Sequence, residues 1–377
     1  MKTVGILNFH CADNFGAVLQ AYALQRVILD LGYRAELIDF RPDELIMPYV
    51  GRRDFSKLRK KRGVLRAVKA LVWGLPNQRK RTTRERLFAE MRTRNMIVSR
   101  QKYFAAEELT KNPPAYDAYI SGSDQVWNPS FKKWIGNSYF LDFVEDESLK
   151  ISYAASIAEP VPTELVEEYV NLINRFDFVS VREHSAKEFL EHLIDKKIEV
   201  TLDPTLLLNE TEWAKLMMDH PMRSKYILVY DLAKSEKLTQ VANKISSSTG
   251  FPVVSYSKSK NFNNGCYSFA YSSPGEFLSL VKDAELVLSS SFHGVAFSIL
   301  FSKPFLAFAF NKRSSRIIDL LELLELKDRI MNETSPIERI LNSSIDYGKT
   351  KERLEVRKEK SIEFLKNALG ALEDRRK

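Results

Sequence analysis

The fold is predicted most clearly by one stretch, Ala284-Glu-Leu-Val-Leu-Ser-Ser-Ser-Phe-His-Gly-Val-Ala-Phe-Ser-Ile-Leu-Phe-Ser-Lys-Pro-Phe-Leu-Ala-Phe308. Its apolar run from Leu286 to Leu288 is typical of a strand that is buried on both faces. After three serines, the residues from Gly294 to Phe301 predict an apolar helix, which ends at Lys303-Pro304. A second buried strand follows at Phe305 to Phe308. The stretch therefore predicts a β-α-β unit of a parallel sheet.

His293 falls just after the first strand of this unit, in the expected first turn of its helix. Ligands of open parallel sheets bind outside the carboxyl ends of the strands, and a helix N-terminus offers unpaired N–H groups to anions. An imidazole in so apolar a run requires a polar partner. His293 is therefore a candidate site residue, and the alternative is a tolerated polar residue in a capped helix.

Length and composition predict a globular protein of two domains. The chain has 377 residues, and its 44% hydrophobic content excludes a disordered polypeptide. It contains no run of about 18 consecutive apolar residues, and residues 1–10 predict a strand rather than a signal peptide. Cys11 and Cys266 are too few for a disulfide framework or a cysteine-built zinc site, so the cytoplasm is the expected compartment.

The positive charge is concentrated in residues 51–100, which carry 17 Lys or Arg and 3 acidic residues, whereas the whole chain has a net charge of +8. Because an apolar run, Leu71-Val-Trp-Gly-Leu75, lies beside this charge, the segment could dock peripherally on an anionic membrane surface. It could equally be a solvated basic face. The segment has few aromatic residues and no nucleic-acid-binding module, so nucleic acid is not an expected partner.

Alternating strand and helix patterns predict an α/β fold in two Rossmann-like domains. The first spans residues 1–210 and contains a basic helical insert at about 43–110, and the second spans residues 225–345. A charged amphipathic helix at 346–377 is expected to pack back on the first domain. Two such domains, with parallel sheets facing a central cleft, are the GT-B architecture. No glycine-rich dinucleotide fingerprint is present, so no nicotinamide cofactor is expected.

Four polar clusters come directly after predicted strands, where parallel strands gather their carboxyl ends along one edge. They supply helix N-termini, an arginine, a carboxylate and an imidazole, which suits an anionic phosphorylated substrate and a proton transfer. The clusters are Asp13-Asn-Phe-Gly16, Ser121-Gly-Ser-Asp-Gln-Val-Trp-Asn128, Ser180-Val-Arg-Glu183 and Ser289-Ser-Ser-Phe-His-Gly294.

At these clusters the sequence resembles the polysaccharide pyruvyl transferase family. The matching stretches run in order over about residues 3–310: Asn14-Phe-Gly-Ala-Val-Leu-Gln-Ala-Tyr-Ala-Leu, Ser121-Gly-Ser-Asp-Gln-Val-Trp-Asn, Ser152-Tyr-Ala-Ala-Ser, Val181-Arg-Glu, Leu202-Asp-Pro-Thr and Ser291-Phe-His-Gly-Val-Ala-Phe-Ser. The resemblance implies a GT-B-like enzyme of exopolysaccharide or capsule synthesis. Such enzymes transfer the pyruvyl group of phosphoenolpyruvate onto two sugar hydroxyls as a ketal.

The resemblance also implies roles for single residues. Arg182 matches the family arginine that grips phosphoenolpyruvate, and His293 matches the histidine that binds phosphate or acts as general acid. We assign Asp124 to orienting or deprotonating an acceptor hydroxyl. The expected substrate-binding residues, without a metal or cofactor, are Asn14, Ser123, Ser290, Ser291, Arg313 and Arg316. The partners would be phosphoenolpyruvate and a glycan acceptor, either free or lipid-linked.

One departure concerns Ser291, where many family members carry an arginine. The missing cation could come from Arg313 or Arg316, which follow the next predicted strand. At a helix start these two arginines could equally be solvated.

The alternative function is a GT-B glycosyltransferase that uses a nucleotide sugar, with Glu322 and Glu325 as ribose-binding carboxylates. The other histidines show no metal-ligand spacing and are interpreted as structural: His10, His184, His192 and His220.

Overall fold

The computed structural model describes residues 1–48, 78–256, 262, 264, 266–309, 314–331 and 343–374. Seven strands of this described part form a parallel sheet in the order β3-β2-β1-β4-β5-β6-β7. Their bounds are Thr3–Leu7 (β1), Arg34–Phe40 (β2), Val98–Tyr103 (β3), Ala118–Ser121 (β4), Leu149–Ala155 (β5), Phe178–Val181 (β6) and Ile198–Val200 (β7).

Strand β3 lies inside the segment 43–110, for which the sequence predicted helices, so that prediction was wrong for residues 98–103. Its sequence, Val-Ser-Arg-Gln-Lys-Tyr, is polar because β3 is an edge strand that pairs with β2 alone. Polar and charged side chains are common on edge strands, where they discourage further pairing.

The helices around this sheet begin with α1, Phe15–Asp30, whose N-cap Asn14 accepts a hydrogen bond from the N–H of Ala17. The insert contributes a long basic helix, which precedes β3 in the chain. The remaining α-helices are α2 (Asp43–Ile46), α3 (Gln78–Asn95, the basic helix), α4 (Ala106–Lys111), α5 (Pro129–Ile135), α6 (Val166–Asn174), α7 (His184–Glu191) and α8 (Glu210–Ala214). Short 3₁₀ turns lie at Ser138–Phe140, Thr163–Leu165 and Pro204–Leu206.

A second parallel sheet, in the order β10-β9-β8-β11-β12-β13, follows in the described chain. Its strands are Ile227–Tyr230 (β8), Val253–Ser255 (β9), Cys266–Ser268 (β10), Leu286–Ser289 (β11), Phe305–Phe308 (β12) and Ile330–Met331 (β13). Its helices are Glu236–Thr249 (α9), Pro274–Lys282 (α10), Phe292–Leu300 (α11) and Ser315–Leu323 (α12), with a 3₁₀ turn at Lys327–Arg329 and the C-terminal helix Tyr347–Asp374 (α13).

Both sheets place the reversal of strand order at the same point, between β1 and β4 in the first and between β8 and β11 in the second. This is the strand order of the Rossmann fold, which binds ligands at the reversal. The predicted β-α-β unit is β11-α11-β12. Helix α11 begins two residues before the predicted Gly294, so His293 lies in its first turn.

Phe15, the first residue of α1, inserts its ring among aromatic residues of the second domain. The ring stacks on Phe277, with centroids 4.6 Å apart, and lies 6.1 Å from Phe269 and 6.1 Å from Tyr230. It is fully buried, and the apolar core runs without a break from α1 into α10 and α11. Aromatic pairs of this kind add about 0.5–1.5 kcal/mol to the burial of their area. The two domains are therefore joined by a packed interface at this end of α1.

Arg84 of α3 crosses the same interface. Its guanidinium lies 5.0 Å from the ring centroid of Phe15, donates to the carbonyl of Asp13 at 2.6 Å, and donates to the carbonyl of Ala270 in the second domain. Arg92, further along the same helix, pairs with the carboxylate of Asp13 at 2.9 Å. These two basic residues of segment 51–100 are buried, so they belong to the interior and not to a basic surface.

Helix α13 follows the second domain in sequence but packs on the first. Phe364, Leu365 and Leu369 are buried there, and the hydroxyl of Ser361 accepts a hydrogen bond from the N–H of Leu202 at 3.0 Å. Because Leu202 immediately precedes Asp203, the helix supports the loop after β7. Within the described residues, no helix has both the length and the apolar character needed to cross a bilayer.

Replacing Phe15 by Ala would leave a cavity between the domains, so we expect the free energy of unfolding to fall by about 3–5 kcal/mol. Urea unfolding monitored by tryptophan fluorescence measures this loss. The control is Phe104→Ala, because the Phe104 side chain is 56% exposed, and its effect should stay within about 0.5 kcal/mol. If the two substitutions lower the free energy of unfolding equally, Phe15 does not contribute to the interface core as inferred.

Candidate active site

The carboxyl ends of the strands of both sheets meet around a cavity of about 180 Å³. The side chains that line it include Asn14 and Asp124 of the first domain and Ser290, Ser291, His293 and Arg316 of the second. Six of the nine site residues predicted from the sequence therefore share one cavity at the domain interface. Arg182 and Ser123 lie next to it, and Arg313 lies outside the described residues.

The carboxylate of Asp203, which follows β7, lies at the centre of the charged groups and is fully buried. Its Oδ2 accepts from Nη1 of Arg182 at 2.5 Å and from the hydroxyl of Ser123 at 3.0 Å. Nε2 of His293, on the other domain, lies 3.6 Å from the same oxygen. Burial alone would raise the pKa of Asp203, but His293 and Arg182 hold it well below its usual range. Asp203 is therefore an anion that faces a guanidinium of its own domain and an imidazole of the other.

Arg182 is buried between the two domains. Its guanidinium carbon lies 4.7 Å from the ring centroid of Phe292 on α11, which is a cation–π contact. Nη2 lies 3.8 Å from Oδ1 of Asp124, which is too far for a hydrogen bond. Nε and Nη2 find no hydrogen-bond partner among the described residues. These two groups of the guanidinium are thus buried without a hydrogen bond to the described protein.

Arg316, in the first turn of α12, presents a second guanidinium to the same place. Its Nη1 lies 3.9 Å from Oδ1 of Asp124, and its Nε has no partner in the described part of the chain. Burial and the nearby charge of Arg182 lower the pKa of Arg316 to about 10. Two buried guanidiniums therefore face one carboxylate at distances too long for hydrogen bonds, and guanidiniums are groups that bind carboxylates and phosphates.

Asp124 occupies the turn after β4 with a φ of 84°, in the left-handed region that costs a non-glycine residue energy. This turn aims the carboxylate at the two arginines. The N–H of Gln125 donates to Oδ1 at 2.9 Å and fixes its position. Strained backbone of this kind is concentrated at functional sites, because it is kept where a side chain must be held in place.

His293 fits closely against α1 of the first domain. A Cβ atom on Gly16 would overlap Nδ1 of the imidazole, so the ring can reach the site because residue 16 is glycine. Nε2 faces Asp203 and has no hydrogen-bond partner among the described residues. The buried imidazole is thus placed by a carboxylate on one side and by a glycine on the other.

The serines of the site mostly organise its surroundings. Ser123 is fully buried and donates to Asp203, so its hydroxyl supports the carboxylate and does not line the cavity, where the sequence placed it. The hydroxyl of Ser290 donates to Asp231 at 2.8 Å and accepts from the N–H of Leu232 at 2.9 Å, which positions the loop after β8. Ser291 is the N-cap residue of α11 and lines the cavity.

The carboxylates that a nucleotide-sugar site would require, and the remaining histidines, lie outside the cavity. Glu322 pairs with Lys327, and Glu325 pairs with Arg353, so both have ion-pair partners on the surface of α12 and its neighbours. His10 pairs with Asp39 at 3.2 Å inside the first domain. Among the described residues, no group of three His, Cys, Asp or Glu side chains could hold a metal ion.

Sequence reasoning missed Asp203 and Gly16. Asp203 was quoted in the stretch Leu202-Asp-Pro-Thr, but Asp-Pro after a three-residue strand is also typical of a plain turn. Its position could have indicated a site residue, because Asp203 follows strand β7 in the same way that Arg182 follows strand β6. Gly16 had no signal of its own, because the ring that it accommodates comes from a residue 277 positions away in the sequence.

Two Rossmann-like domains with a cluster of buried charges between their strand ends define a two-domain α/β protein of the GT-B class. The chain belongs to the polysaccharide pyruvyl transferase family, whose model matches residues 14–311. The family resemblance in the sequence is therefore confirmed, as is the predicted fold class. No curated protein sequence matches the chain.

Similar solved structures include a mutant of the O-GlcNAc transferase of Thermobaculum terrenum, with 10% identity, a TM-score of 0.51, and coverage of 98% of this chain and 67% of that chain. The UDP-GlcNAc 2-epimerase of Neisseria meningitidis, bound to UDP-GlcNAc, has 11% identity, a TM-score of 0.46, and coverage of 98% of this chain and 99% of that chain. At such identities the likeness concerns the fold.

Alanine in place of a helical glycine ordinarily stabilises a protein by about 0.5–1 kcal/mol. We expect Gly16→Ala to do the opposite, because the new methyl group would displace the imidazole of His293. Gly370→Ala in α13 is the matched control, since nothing lies within 4 Å of a Cβ there. Thermal unfolding of both variants and a crystal structure of Gly16→Ala test this. A gain in stability from Gly16→Ala, with the ring unmoved, would contradict the expectation.

Proposed function

We propose that this protein transfers the pyruvyl group of phosphoenolpyruvate onto two hydroxyls of a sugar in a cell-surface glycan, forming a ketal and releasing phosphate. The observation that carries the proposal is the pair of buried guanidiniums of Arg182 and Arg316, which lie 3.8 and 3.9 Å from the carboxylate of Asp124. Each guanidinium also has an N–H group without a hydrogen-bond partner among the described residues. The family membership of the chain supports the same reaction class.

Donor binding follows from the charges. Phosphoenolpyruvate carries a carboxylate and a phosphate, and both bind guanidiniums through paired hydrogen bonds. Arg182 and Arg316 come from different domains, so a donor held between them would also be held at the interface. Arg316 takes the place of the family arginine that is absent at Ser291. The N-terminus of α11, where the Ser291 side chain makes no capping hydrogen bond, favours an anion in the same cavity.

The reaction then needs a proton donor and a base. A proton is added to the methylene carbon of phosphoenolpyruvate, which leaves an oxocarbenium-like centre at the neighbouring carbon. One sugar hydroxyl attacks that carbon and loses its proton. The carbon–oxygen bond to phosphate breaks, phosphate leaves with the electron pair, and a second hydroxyl attacks and loses its proton to close the ketal. His293 serves as proton donor or phosphate ligand, and Asp124 accepts a proton from a hydroxyl.

Arg182→Ala and His293→Ala should each reduce acceptor-dependent phosphate release by about 10²- to 10⁴-fold or more, because each removes a group that acts on the donor. Arg316→Ala should raise the apparent KM for phosphoenolpyruvate. The measurement is phosphate release from phosphoenolpyruvate in the presence of candidate glycans. Arg26→Ala is the control, because Arg26 is exposed on α1 and pairs only with nearby Asp30 among the ion pairs of the described chain.

Donor binding can be measured without any acceptor. Calorimetry should detect phosphoenolpyruvate binding to the wild type and a weaker interaction with Arg316→Ala. UDP is the comparison ligand, since the glycosyltransferase alternative predicts that UDP binds instead. Binding of UDP in the absence of any binding of phosphoenolpyruvate would overturn the proposal. If Arg316→Ala binds phosphoenolpyruvate as tightly as the wild type, Arg316 does not bind the donor.

We further propose that the enzyme docks on the cytoplasmic membrane face, where a lipid-linked glycan would be presented. The support is the net charge of +14 in residues 51–100 beside Leu71-Val-Trp-Gly-Leu75. Residues 49–77, which hold most of this pattern, lie outside the described residues. Each exposed Lys or Arg near an anionic surface contributes on the order of 1 kcal/mol.

Co-sedimentation with anionic and neutral vesicles tests this docking. We expect binding to anionic vesicles that weakens with salt, because the Debye length is about 8 Å at physiological ionic strength. Neutralising Arg59, Lys60, Lys61 and Arg62 should reduce it. Equal sedimentation with neutral vesicles, or no loss in the variant, would leave the segment as a solvated basic face.

A further inference from the structure

One oxygen atom of Asp203 gathers groups from both domains. Oδ2 faces Nη1 of Arg182 at 2.5 Å and Nε2 of His293 at 3.6 Å, while the other oxygen is fixed separately. Oδ1 accepts from the N–H of Thr205 at 3.0 Å and from its hydroxyl at 2.7 Å. The loop is held from behind by α13 through Ser361 and Leu202. The carboxylate therefore has little freedom to turn away from the imidazole.

The side chain of Asp203 is 0% exposed and that of His293 is 8% exposed, so both are largely shielded from bulk water. A carboxylate within about 4–6 Å favours the charged form of an imidazole, and this effect opposes that of burial. Among the described residues, the other charged groups around this part of the site include Arg182, Asp124, Arg316 and Glu183. Arg182 lies against the same Oδ2 that His293 faces, so one carboxylate oxygen is close to both side chains.

We propose that Asp203 is the positioning residue of the site: it fixes the imidazole of His293 across the domain interface and keeps that imidazole protonated. This inference rests on the proposed function only for the use made of the proton. An imidazolium at the cavity wall can attract the donor phosphate and can release a proton when the methylene carbon requires one. A carboxylate that orients an imidazole and stabilises its charged form has the role of the buried aspartate in hydrolase triads.

The first test needs no substrate. The chain has five histidines, so a ring NMR spectrum is simple, and the signal missing from His293→Gln identifies His293. At neutral pH we expect the wild-type signal at the position of an imidazolium. In Asp203→Asn, which keeps the size and capping ability of the residue, it should move to the neutral position. A neutral ring in the wild type, or no movement in the variant, would overturn the proposal.

Two control variants separate this role from a structural one. Thr205→Val removes the hydroxyl bonded to Oδ1 but keeps the charge, so the His293 signal should stay in place. Asp283→Asn removes the partner that lies 2.9 Å from His220, and it should move the His220 signal alone. Should Asp203→Asn fail to fold, because Arg182 loses its partner, the double variant Arg182→Gln/Asp203→Asn removes both charges, and the wild-type spectrum still decides the question.

The second test uses turnover. With phosphoenolpyruvate and an active glycan acceptor, Asp203→Asn should lower kcat by about tenfold or more and should shift the alkaline limb of the pH–rate profile to lower pH. A merely structural defect would lower the rate at every pH without moving the limb, which would overturn the proposal. If the ring signal moves but the wild type never releases phosphate from phosphoenolpyruvate, the inference about Asp203 stands and the proposed function fails.

Discussion

The site depends on one constraint, which is that a fully buried carboxylate must be neutralised where it lies. Asp203 meets this need through Arg182 of its own domain, and the imidazole of His293 from the other domain faces the same oxygen. Removing one member of a buried ion pair typically costs about 3–5 kcal/mol, because the remaining charge has no water around it. The two domains are therefore held in register beside the cavity between their strand ends.

A second interaction makes this register possible. Phe15 stacks on Phe277, and Gly16 beside it leaves the space that the imidazole of His293 occupies. The first residues of α1 thus combine three tasks: Asn14 caps the helix, Phe15 joins the domains and Gly16 admits the imidazole ring. Apolar attraction is non-directional, so the aromatic stack brings the domains together without fixing which side chains meet. Close packing depends on shape, so the glycine determines which side chain fits between the domains.

The sequence predicted some parts of the structure better than others. Polar residues that directly follow apolar strands led to a single place in the fold, since Asn14, Asp124, Ser291 and His293 line one cavity. Strand β3 was missed because an edge strand needs few apolar residues. The sequence could not separate Ser123 from Asp124, because their cluster follows β4 as a whole. The turn after that strand decides which side chain faces the cavity and which faces Asp203.

The sequence by itself determined the parallel sheets, the positions of the polar clusters at the strand ends and the family, because each depends on local patterns of apolar and polar residues. Only the tertiary structure decided that Arg316 reaches Asp124, that Asp203 faces His293, and that Arg84 is buried and not on a basic surface. Those contacts join residues that are distant in the sequence, and no local pattern records a distance between two domains. Their energies depend on burial and on the distances between charges, and both are set only once the chain has folded.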